Sequence, residues 1–253
     1  MTIDAPLQHQ LPLLRDLFEQ AFDETKDFLD TFYNVAFSKS RCRCVTEDEK
    51  IAAALYWFDC EYCGTRIAYL YAIATAKEFR GRGICHDLMA NTHKHLASLG
   101  YQGAILVPAS RSLFSFYQGM GYQPCSYIRK WECSASRKGI ELRRIDVTEY
   151  AKLRQQLLPT GGVIQQNENL DLLNAISELY TGTGFLAAVT KQDDVLCAAE
   201  FLGDEAFASG IVGALGCEKG IFRTVGTDQP FAMYLPLGSS ALPPPSYFGL
   251  AFD

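Results

Sequence analysis

The spacing of apolar residues divides the first half of the chain into alternating helices and strands. Over residues 8–38 they recur every three or four positions, which predicts two helices with a break near Asp23–Thr25. Polar turns at Glu47–Glu49 and Cys63–Thr65 then separate strand-like runs. The predicted elements after the two helices are strands at 41–46, 50–59 and 66–75, a helix from Gly83 to Leu99, a strand at 102–107, a helix at 111–118 and strand-like residues at 122–133.

The small, polar and basic segment Ser134–Gly139 reads as a boundary, which predicts domains at 1–138 and 139–253. A weak internal repeat follows this boundary. Ile145-Asp146 matches Ile3-Asp4, and each pair is followed by a predicted helix that contains a Leu-Arg pair. The elements predicted in the second half are helices at 147–158, 168–180 and near 204–214, and strands at 185–190, 195–202, 231–237 and 247–252.

Composition is that of a folded, non-membrane protein. The 253 residues are 48% hydrophobic and 21% charged, and no apolar run approaches the length needed to span a bilayer. The first residues lack the features of a signal peptide, so we expect a cytoplasmic protein whose nine cysteines are free thiols. The net charge of −6 argues against a nucleic-acid partner.

The most informative segment runs from an apolar strand into Arg80-Gly81-Arg82-Gly83-Ile84 and then directly into a helix. Glycines at a strand-to-helix junction let backbone N–H groups approach an anion, and the helix N-terminus and two arginines add positive charge. The segment lacks the Gly-Lys-Ser/Thr of a Walker A loop, and His86 stands where a dinucleotide fingerprint needs a small residue. These residues indicate a phosphate site of another kind, or a solvated basic turn.

The segment resembles the signature of the GNAT superfamily, the acetyl-CoA-dependent N-acetyltransferases, which reads Gln/Arg-x-x-Gly-x-Gly/Ala. The matching residues are Arg80, Gly83 and Cys85, with cysteine as a departure in the last place. Phe116-Tyr117 followed by Gly119–Tyr122 is similar to a second element of the family. The resemblance covers residues 1–134. It implies an α+β GNAT fold, with a mixed, mostly antiparallel sheet and helices on both faces, followed by a smaller, degenerate GNAT-like α+β domain.

The resemblance also implies a cofactor site and a catalytic group. Acetyl-CoA, as co-substrate, would pair its pantetheine arm with the strand end, and its thioester carbonyl would bind the backbone N–H near Ile73. Ser110 would cap a helix or contact pantetheine. Tyr117 would be the general acid that protonates the departing thiolate. The residues that the resemblance assigns to the cofactor are Ile73, Ala74, Thr75, Arg80, Gly81, Arg82, Gly83, Ile84, Cys85 and Ser110.

The general base stays open. Some family members carry a glutamate on the fourth strand, but here no carboxylate lies between Arg66 and Glu78. A water relay or a group from the second half would also serve. The candidate carboxylates are Asp23, Glu24, Asp59, Glu61 and the C-terminal carboxylate of Asp253.

Two further sets of residues could bind a metal ion or a phosphate. Cys42, Cys44, Cys60 and Cys63 have spacings suggestive of zinc, but their places on the predicted strands favour ordinary thiols and no metal. His86, His93 and His95 lie on the helix that follows the glycine loop, and only His86 is near enough to its start to touch a phosphate.

The charge is unevenly distributed. Residues 1–65 carry −6, residues 66–139 carry +7 and residues 140–253 carry −7. The basic block contains the glycine loop, and the acidic blocks hint at a cationic amine acceptor, although solvated surface charge explains them equally. The leading hypothesis is an N-acetyltransferase that acts by direct attack of a primary amine, and a homodimer is possible. The alternative is a non-catalytic acyl-CoA sensor with the same fold.

Overall fold

The computed structural model describes residues 1–137, 139–238 and 242–252. The helices are α1 (Leu11–Phe22), α2 (Lys26–Val35), α3 (Ile84–Ser98), α4 (Arg111–Gln118), α5 (Val147–Leu157), α6 (Glu168–Ile176) and α7 (Ala208–Ala214). The strands are β1 (Thr2–Asp4), β2 (Cys42–Glu47), β3 (Lys50–Tyr62), β4 (Thr65–Thr75), β5 (Gly103–Leu106), β6 (Gln123–Ser134), β7 (Arg143–Arg144), β8 (Ile164–Gln165), β9 (Glu178–Gly182), β10 (Phe185–Gln192), β11 (Val195–Gly203), β12 (Lys219–Val225) and β13 (Gln229–Pro236).

The chain forms two compact units, each built from two segments. Unit 1 consists of Met1–Gln123 and Met233–Pro244, and unit 2 consists of Pro124–Ala232 and Pro245–Asp253. The sequence placed a single boundary at 138/139, whereas the chain passes between the units at three points. This interleaving arises because β13 supplies its last residues to the sheet of unit 1, although it lies late in the sequence.

In unit 1 the strands follow the spatial order β1, β2, β3, β4, β5 and the end of β13. Neighbours are antiparallel except for β4 and β5, which are parallel. Trp57 and Leu70 pack with Leu88 of α3 on one face. Phe32 of α2 meets the ring of Tyr56 at 5.2 Å on the other face. Because successive strand residues point to opposite faces, the helices cover both sides of this sheet.

The two-helix prediction for residues 8–38 is confirmed, including the break. Asp23 ends α1 in the left-handed conformation with φ 55°, and Thr25 begins α2 by accepting a hydrogen bond from the Phe28 N–H. Thr25 is a favourable N-cap because its hydroxyl satisfies one of the first backbone donors of the helix.

Unit 2 has the spatial strand order β7, β9, β10, β11, β12 and β6. Again all neighbours are antiparallel except one pair, β11 and β12. Across the sheet, the order of antiparallel and parallel neighbours is therefore the same in unit 2 as in unit 1. Its apolar cores lie on two faces, one around Ile211 and Val212 of α7 and one around Tyr150 of α5 and Leu170 of α6.

Two predictions for the second half are wrong. The helix predicted at 168–180 ends at Ile176, and Glu178–Gly182 pairs with β10 as a strand. The strand predicted at 247–252 does not form, because its backbone groups are bonded by other means: the Phe248 N–H donates to the Ser126 hydroxyl, and the Leu250 carbonyl accepts from Gln165. Strand β12 and the short strands β1, β7 and β8 were not predicted.

Because the end of β13 belongs to the sheet of unit 1, we expect a fragment that lacks this strand to be unstable. A fragment of residues 1–138 should be insoluble or should unfold well below the full chain, because β5 loses its partner and the core loses Met233 and Tyr234, which are 0% and 2% exposed. Deleting one such side chain typically costs about 2–5 kcal/mol. Thermal unfolding measures this. A matched fragment that carries residues 229–244 on a flexible linker should regain stability. A fragment 1–138 that melts like the full chain would contradict this role of β13.

Candidate active site

The end of β4 departs from regular strand pairing. Opposite β3, Ala54 pairs with Ala74 but Tyr56 pairs with Tyr71, so β4 holds one extra residue. Ala72 takes a left-handed φ of 51° in this bulge. Opposite β5, the parallel pairing ends at Leu70↔Leu106. The sheet of unit 1 therefore opens beyond Leu70, as bulges commonly cause, and the backbone of 71–75 forms an edge there.

The predicted cofactor residues of β4 lie on that edge. Ile73 and Thr75 are half-buried, and Ala74 is buried and paired with Ala54. The Thr75 carbonyl accepts a hydrogen bond of 3.1 Å from Arg80 Nε, and the next N–H, of Ala76, donates to the Ala52 carbonyl. These bonds turn the chain away from the strand and into the glycine loop.

Both glycines of the loop have left-handed backbone conformations. Gly81 and Gly83 have φ of 76° and 78°, which glycine adopts without steric cost. Gly83 is the N-cap of α3 and supplies no side chain to cap the first-turn N–H groups. A Cβ built on either glycine meets nothing within 4 Å, so the space above the loop is open. Uncapped N–H groups that face open space are suited to binding an anion.

The two arginines of the loop have different surroundings. Arg80 is exposed and bonded through Nε to the strand end. Arg82 packs 5.3 Å from the centre of the Phe79 ring and makes a 2.8 Å ion pair with Glu47, at the end of β2. The hydrogen bond from Arg82 holds the pKa of Glu47 below its usual value. No local sequence pattern predicts this contact, because 35 residues separate the partners.

Cys85 occupies the last place of the motif, in the first turn of α3. Burial raises the pKa of its thiol to about 11, and a hydrogen bond with the Thr75 side chain offsets this in part. The thiol is therefore protonated at neutral pH and poorly suited to nucleophilic attack.

Tyr117, near the end of α4, is 6% exposed and packs among Leu88, Tyr122 and other residues of the unit 1 core. Burial raises the pKa of its hydroxyl above the usual range, and Cys85 nearby raises it further. Among the described residues the hydroxyl has no hydrogen-bond partner. Tyr117 is thus a protonated donor beside the first turn of α3.

Ser110 lies at the N-cap position of α4, as expected, but its side chain makes no capping hydrogen bond. Its Oγ lies 3.0 Å from Ser112 Oγ instead. The hydroxyl is exposed, which leaves the alternative contact with pantetheine as a prediction.

The candidate bases are not alike. Asp59 accepts a hydrogen bond from Tyr101 and lies 3.6 Å from Arg66 and 3.9 Å from Arg41. It pairs across from Ala68, and Glu61 pairs across from Arg66, so both lie towards the opposite end of β4 from the bulge. Burial raises the pKa of Glu24, which lies between α1 and α2. Asp23 ends α1, and Asp253 lies outside the described residues.

The four cysteines with zinc-like spacing do not form a metal-binding cluster among the described residues. Cys42, Cys44 and Cys60 are buried and Cys63 is exposed. Within residues 1–137, 139–238 and 242–252, no three His, Cys, Asp or Glu side chains come together in a way that could hold a metal ion. In the same residues, no helix is long and apolar enough to cross a membrane.

The three histidines of α3 differ in environment. His86 is exposed near the start of the helix. His95 meets the Trp57 ring at 6.0 Å. His93 Nε2 lies 2.8 Å from the Tyr122 hydroxyl, and burial, helped by His86, lowers its pKa to about 4.

The shifted pKa of His93 predicts a pH dependence of stability. Because the folded pKa lies below the unfolded value of about 6.5, the neutral ring contributes stability above that pH. The contribution should be lost as pH falls from about 6.5 through about 4, by an amount on the order of 2–3 kcal/mol. Denaturant unfolding across this range should show a steeper loss for the wild type than for His93→Gln. Equal slopes would contradict the assignment.

The chain is similar to known acetyltransferases both in its sequence profile and in its fold. A family profile described as acetyltransferase (GNAT) domain matches residues 7–125. A GCN5-related N-acetyltransferase from Anabaena variabilis has a similar fold, with a TM-score of 0.75 and 16% identity over 94% of this chain and 73% of that one. One from Kribbella flavida gives 0.69 and 15% over 93% and 72%. A search of the curated proteins returned no match.

A third similar structure is Eis1 from Mycobacterium abscessus, with a TM-score of 0.68 and 11% identity over 94% of this chain and 74% of that one. At such identities the likeness establishes the fold, an α+β arrangement of mixed sheet and helices. The family profile supports acyl transfer from acyl-CoA as the general activity. Residues 7–125 therefore match the profile of a GNAT acetyltransferase domain, and the chain shares the fold of solved GNAT N-acetyltransferases.

Proposed function

We propose that this protein transfers an acetyl group from acetyl-CoA to a primary amine by direct attack, with Tyr117 as general acid. One observation carries the proposal: the bulged end of β4, the open glycine loop and the protonated Tyr117 all belong to unit 1. Together they offer an edge for an extended ligand, a site for phosphates and a proton donor.

The described residues fit acetyl-CoA. The backbone at Ile73, Ala74 and Thr75 would pair with the pantetheine arm along the strand edge. The N–H groups from Gly81 to Cys85 would hold the pyrophosphate, with Arg80 and Arg82 beside it. The part of the basic block that belongs to unit 1, residues 66–123, carries six basic and two acidic residues, and its charge of +4 favours a polyanion. Bound acetyl-CoA supplies the acyl group as a thioester, and no metal is needed.

Tyr117 fits a donor better than a base. Its raised pKa keeps the proton on the oxygen at neutral pH, and its hydroxyl is not committed to another described residue. A phenol in this state can give its proton to a leaving sulfur. Cys85, with its own pKa raised to about 11, would stay neutral and spare the site a competing charge.

The acceptor is proposed to be a small amine that carries positive charge when free. The segment 1–65, which includes α1, α2 and β2, carries −6. An acidic surface attracts a cationic acceptor, and solvation alone also accounts for such charge. We further propose that the protein acts in the cytoplasm, as its free thiols suggest, and that it forms a homodimer.

Unit 2 is proposed to be a degenerate copy of the GNAT fold without a cofactor. Its strand pairings repeat those of unit 1, and β11 also holds one extra residue, since Ala188 pairs with Glu200 but Val189 with Ala198. Beyond this bulge the Glu200 carboxylate is buried against Arg154. The turn before α7 carries Glu205, which pairs with Arg129, in place of a basic glycine loop.

A second candidate is a sensor that binds acyl-CoA without turnover. The observation that favours it is the absence of a carboxylate on β4, where Tyr69, Leu70 and Tyr71 stand. CoA release in the presence of a panel of amines separates the two: steady turnover indicates the enzyme, whereas binding without release indicates the sensor.

Replacing Tyr117 tests the acid. Tyr117→Phe should lose turnover by roughly 100-fold or more, because a general acid contributes on that order. Its Kd for acetyl-CoA, measured by calorimetry, should hardly change. Tyr127→Phe is a matched control, since Tyr127 is 40% exposed on β6. Full activity in Tyr117→Phe would overturn the assignment.

The glycine loop offers a matched pair of variants on one helix. Gly83 and Gly100 flank α3, have φ of 78° and 86°, and both face open space. Gly83→Ala should raise the Kd for acetyl-CoA roughly tenfold, because a methyl group hinders the close approach of a phosphate to the backbone. Gly100→Ala should cost similar stability and leave the Kd unchanged. Equal Kd values in both variants would argue against this loop as the phosphate site.

A further inference from the structure

A buried tyrosine links the proposed acid to the glycine-loop helix. Tyr122 is fully buried, and its hydroxyl lies 2.8 Å from Nε2 of His93 on α3. Its ring packs edge-to-face on Tyr117, with the ring centres 5.9 Å apart. The Tyr122 N–H also donates to the Tyr117 carbonyl over 3.1 Å.

We propose that His93 and Tyr122 are positioning residues, which hold the Tyr117 hydroxyl in register with the start of α3. The proposal rests on the function proposed above and adds to it two side chains outside the motif. In this arrangement Tyr122 fixes the ring of Tyr117, and His93 fixes Tyr122.

The packing around Tyr117 shows why Tyr122 is the controlling contact. With no hydrogen bond to its hydroxyl from the described residues, Tyr117 is oriented by its ring neighbours. One of them, Phe116, has its ring centre 5.2 Å away and is 42% exposed, so fewer neighbours pack against it. Tyr122 is buried on every side and anchored at its far end by a hydrogen bond. A fixed neighbour restricts ring rotation, whereas an exposed one does not.

The anchor also ties the acid to the phosphate site. His93 belongs to α3, whose first residue, Ile84, follows the N-cap Gly83 directly. A helix is a rigid element, so the position of His93 is set relative to the loop at the other end. Placement of a catalytic group within a fraction of an ångström affects rate strongly. His93 and Tyr122 therefore fix the position of Tyr117 relative to α3, the helix that would hold the cofactor.

The surroundings of His93 keep both partners of its hydrogen bond with Tyr122 in a single protonation state. Two titratable groups act on its ring, Tyr122 through the hydrogen bond and His86 through its charge. Burial and His86 both lower the pKa of His93, so the ring is neutral at neutral pH. Burial likewise raises the pKa of Tyr122 and keeps its proton in place. The hydrogen bond is thus between two neutral groups throughout the neutral range.

Four variants test the proposal. Tyr122→Phe and His93→Leu should lower kcat roughly tenfold, with the Kd for acetyl-CoA within about twofold of wild type, because a displaced acid slows the reaction without weakening cofactor binding. His93→Gln, which can still hydrogen-bond the Tyr122 hydroxyl, should regain most of kcat. His95→Leu, two residues along α3, should leave kcat unchanged. The assay is CoA release with putrescine, spermidine and phenethylamine, and melting temperatures confirm folding.

A second readout is independent of turnover. Aromatic NMR of tyrosine-labelled protein, with the Tyr117 signals identified by their loss in Tyr117→Phe, should show those signals broadened or split in Tyr122→Phe and His93→Leu but not in His95→Leu. Unchanged kcat and unchanged Tyr117 signals in folded Tyr122→Phe would overturn the proposal. If the wild type releases no CoA with any amine, the proposed function fails, and the NMR result still decides whether His93 and Tyr122 hold Tyr117.

Discussion

The single extra residue in β4 is the constraint on which the rest of unit 1 depends. Because Ala72 is accommodated in a bulge, β4 turns out of its pairing with β5 after Leu70, and the sheet opens at that point. The strand edge leads into the glycine loop, where Arg80 bonds the Thr75 carbonyl, and Cys85 at the start of α3 lies near both Thr75 and Tyr117. Without the bulge β4 could continue to pair with β5, and a ligand would find no free edge.

Unit 2 shows what the same constraint does when the chemistry is absent. Its bulge lies at the corresponding place in β11, so the backbone is shaped in the same way. There, however, Glu200 and Arg154 form a buried ion pair in which Tyr150 and Tyr247 also donate to the carboxylate. Removing one partner of such a buried pair is strongly destabilising, so we expect these side chains to hold a fixed arrangement. Shared backbone geometry therefore does not require shared function.

The sequence predicted what is local and missed what is distant. The glycine loop follows from residues next to one another, since positive φ at Gly81 and Gly83 needs no remote partner. The helix predicted at 168–180 ended early because Leu179 and Tyr180 satisfy helical spacing as well as strand alternation, and pairing with β10 decides between them. No local pattern signals that Met233 pairs with Leu106.

The candidate site divides in the same way. Arg80, Gly83 and Tyr117 stand out by motif and all belong to unit 1, while their roles stay predictions. Glu47 beside Arg82 and His93 beside Tyr122 are contacts between residues 35 and 29 positions apart. Such pairs depend on how β2 and α3 pack, which a single sequence does not encode in any local spacing.

The most direct test of the account is a crystal structure of the protein with acetyl-CoA bound. The account predicts the pyrophosphate against the backbone from Gly81 to Cys85, the pantetheine arm along Ile73–Thr75, and the Tyr117 hydroxyl within hydrogen-bonding distance of the sulfur. Acetyl-CoA bound elsewhere, or a sulfur out of reach of Tyr117, would contradict it.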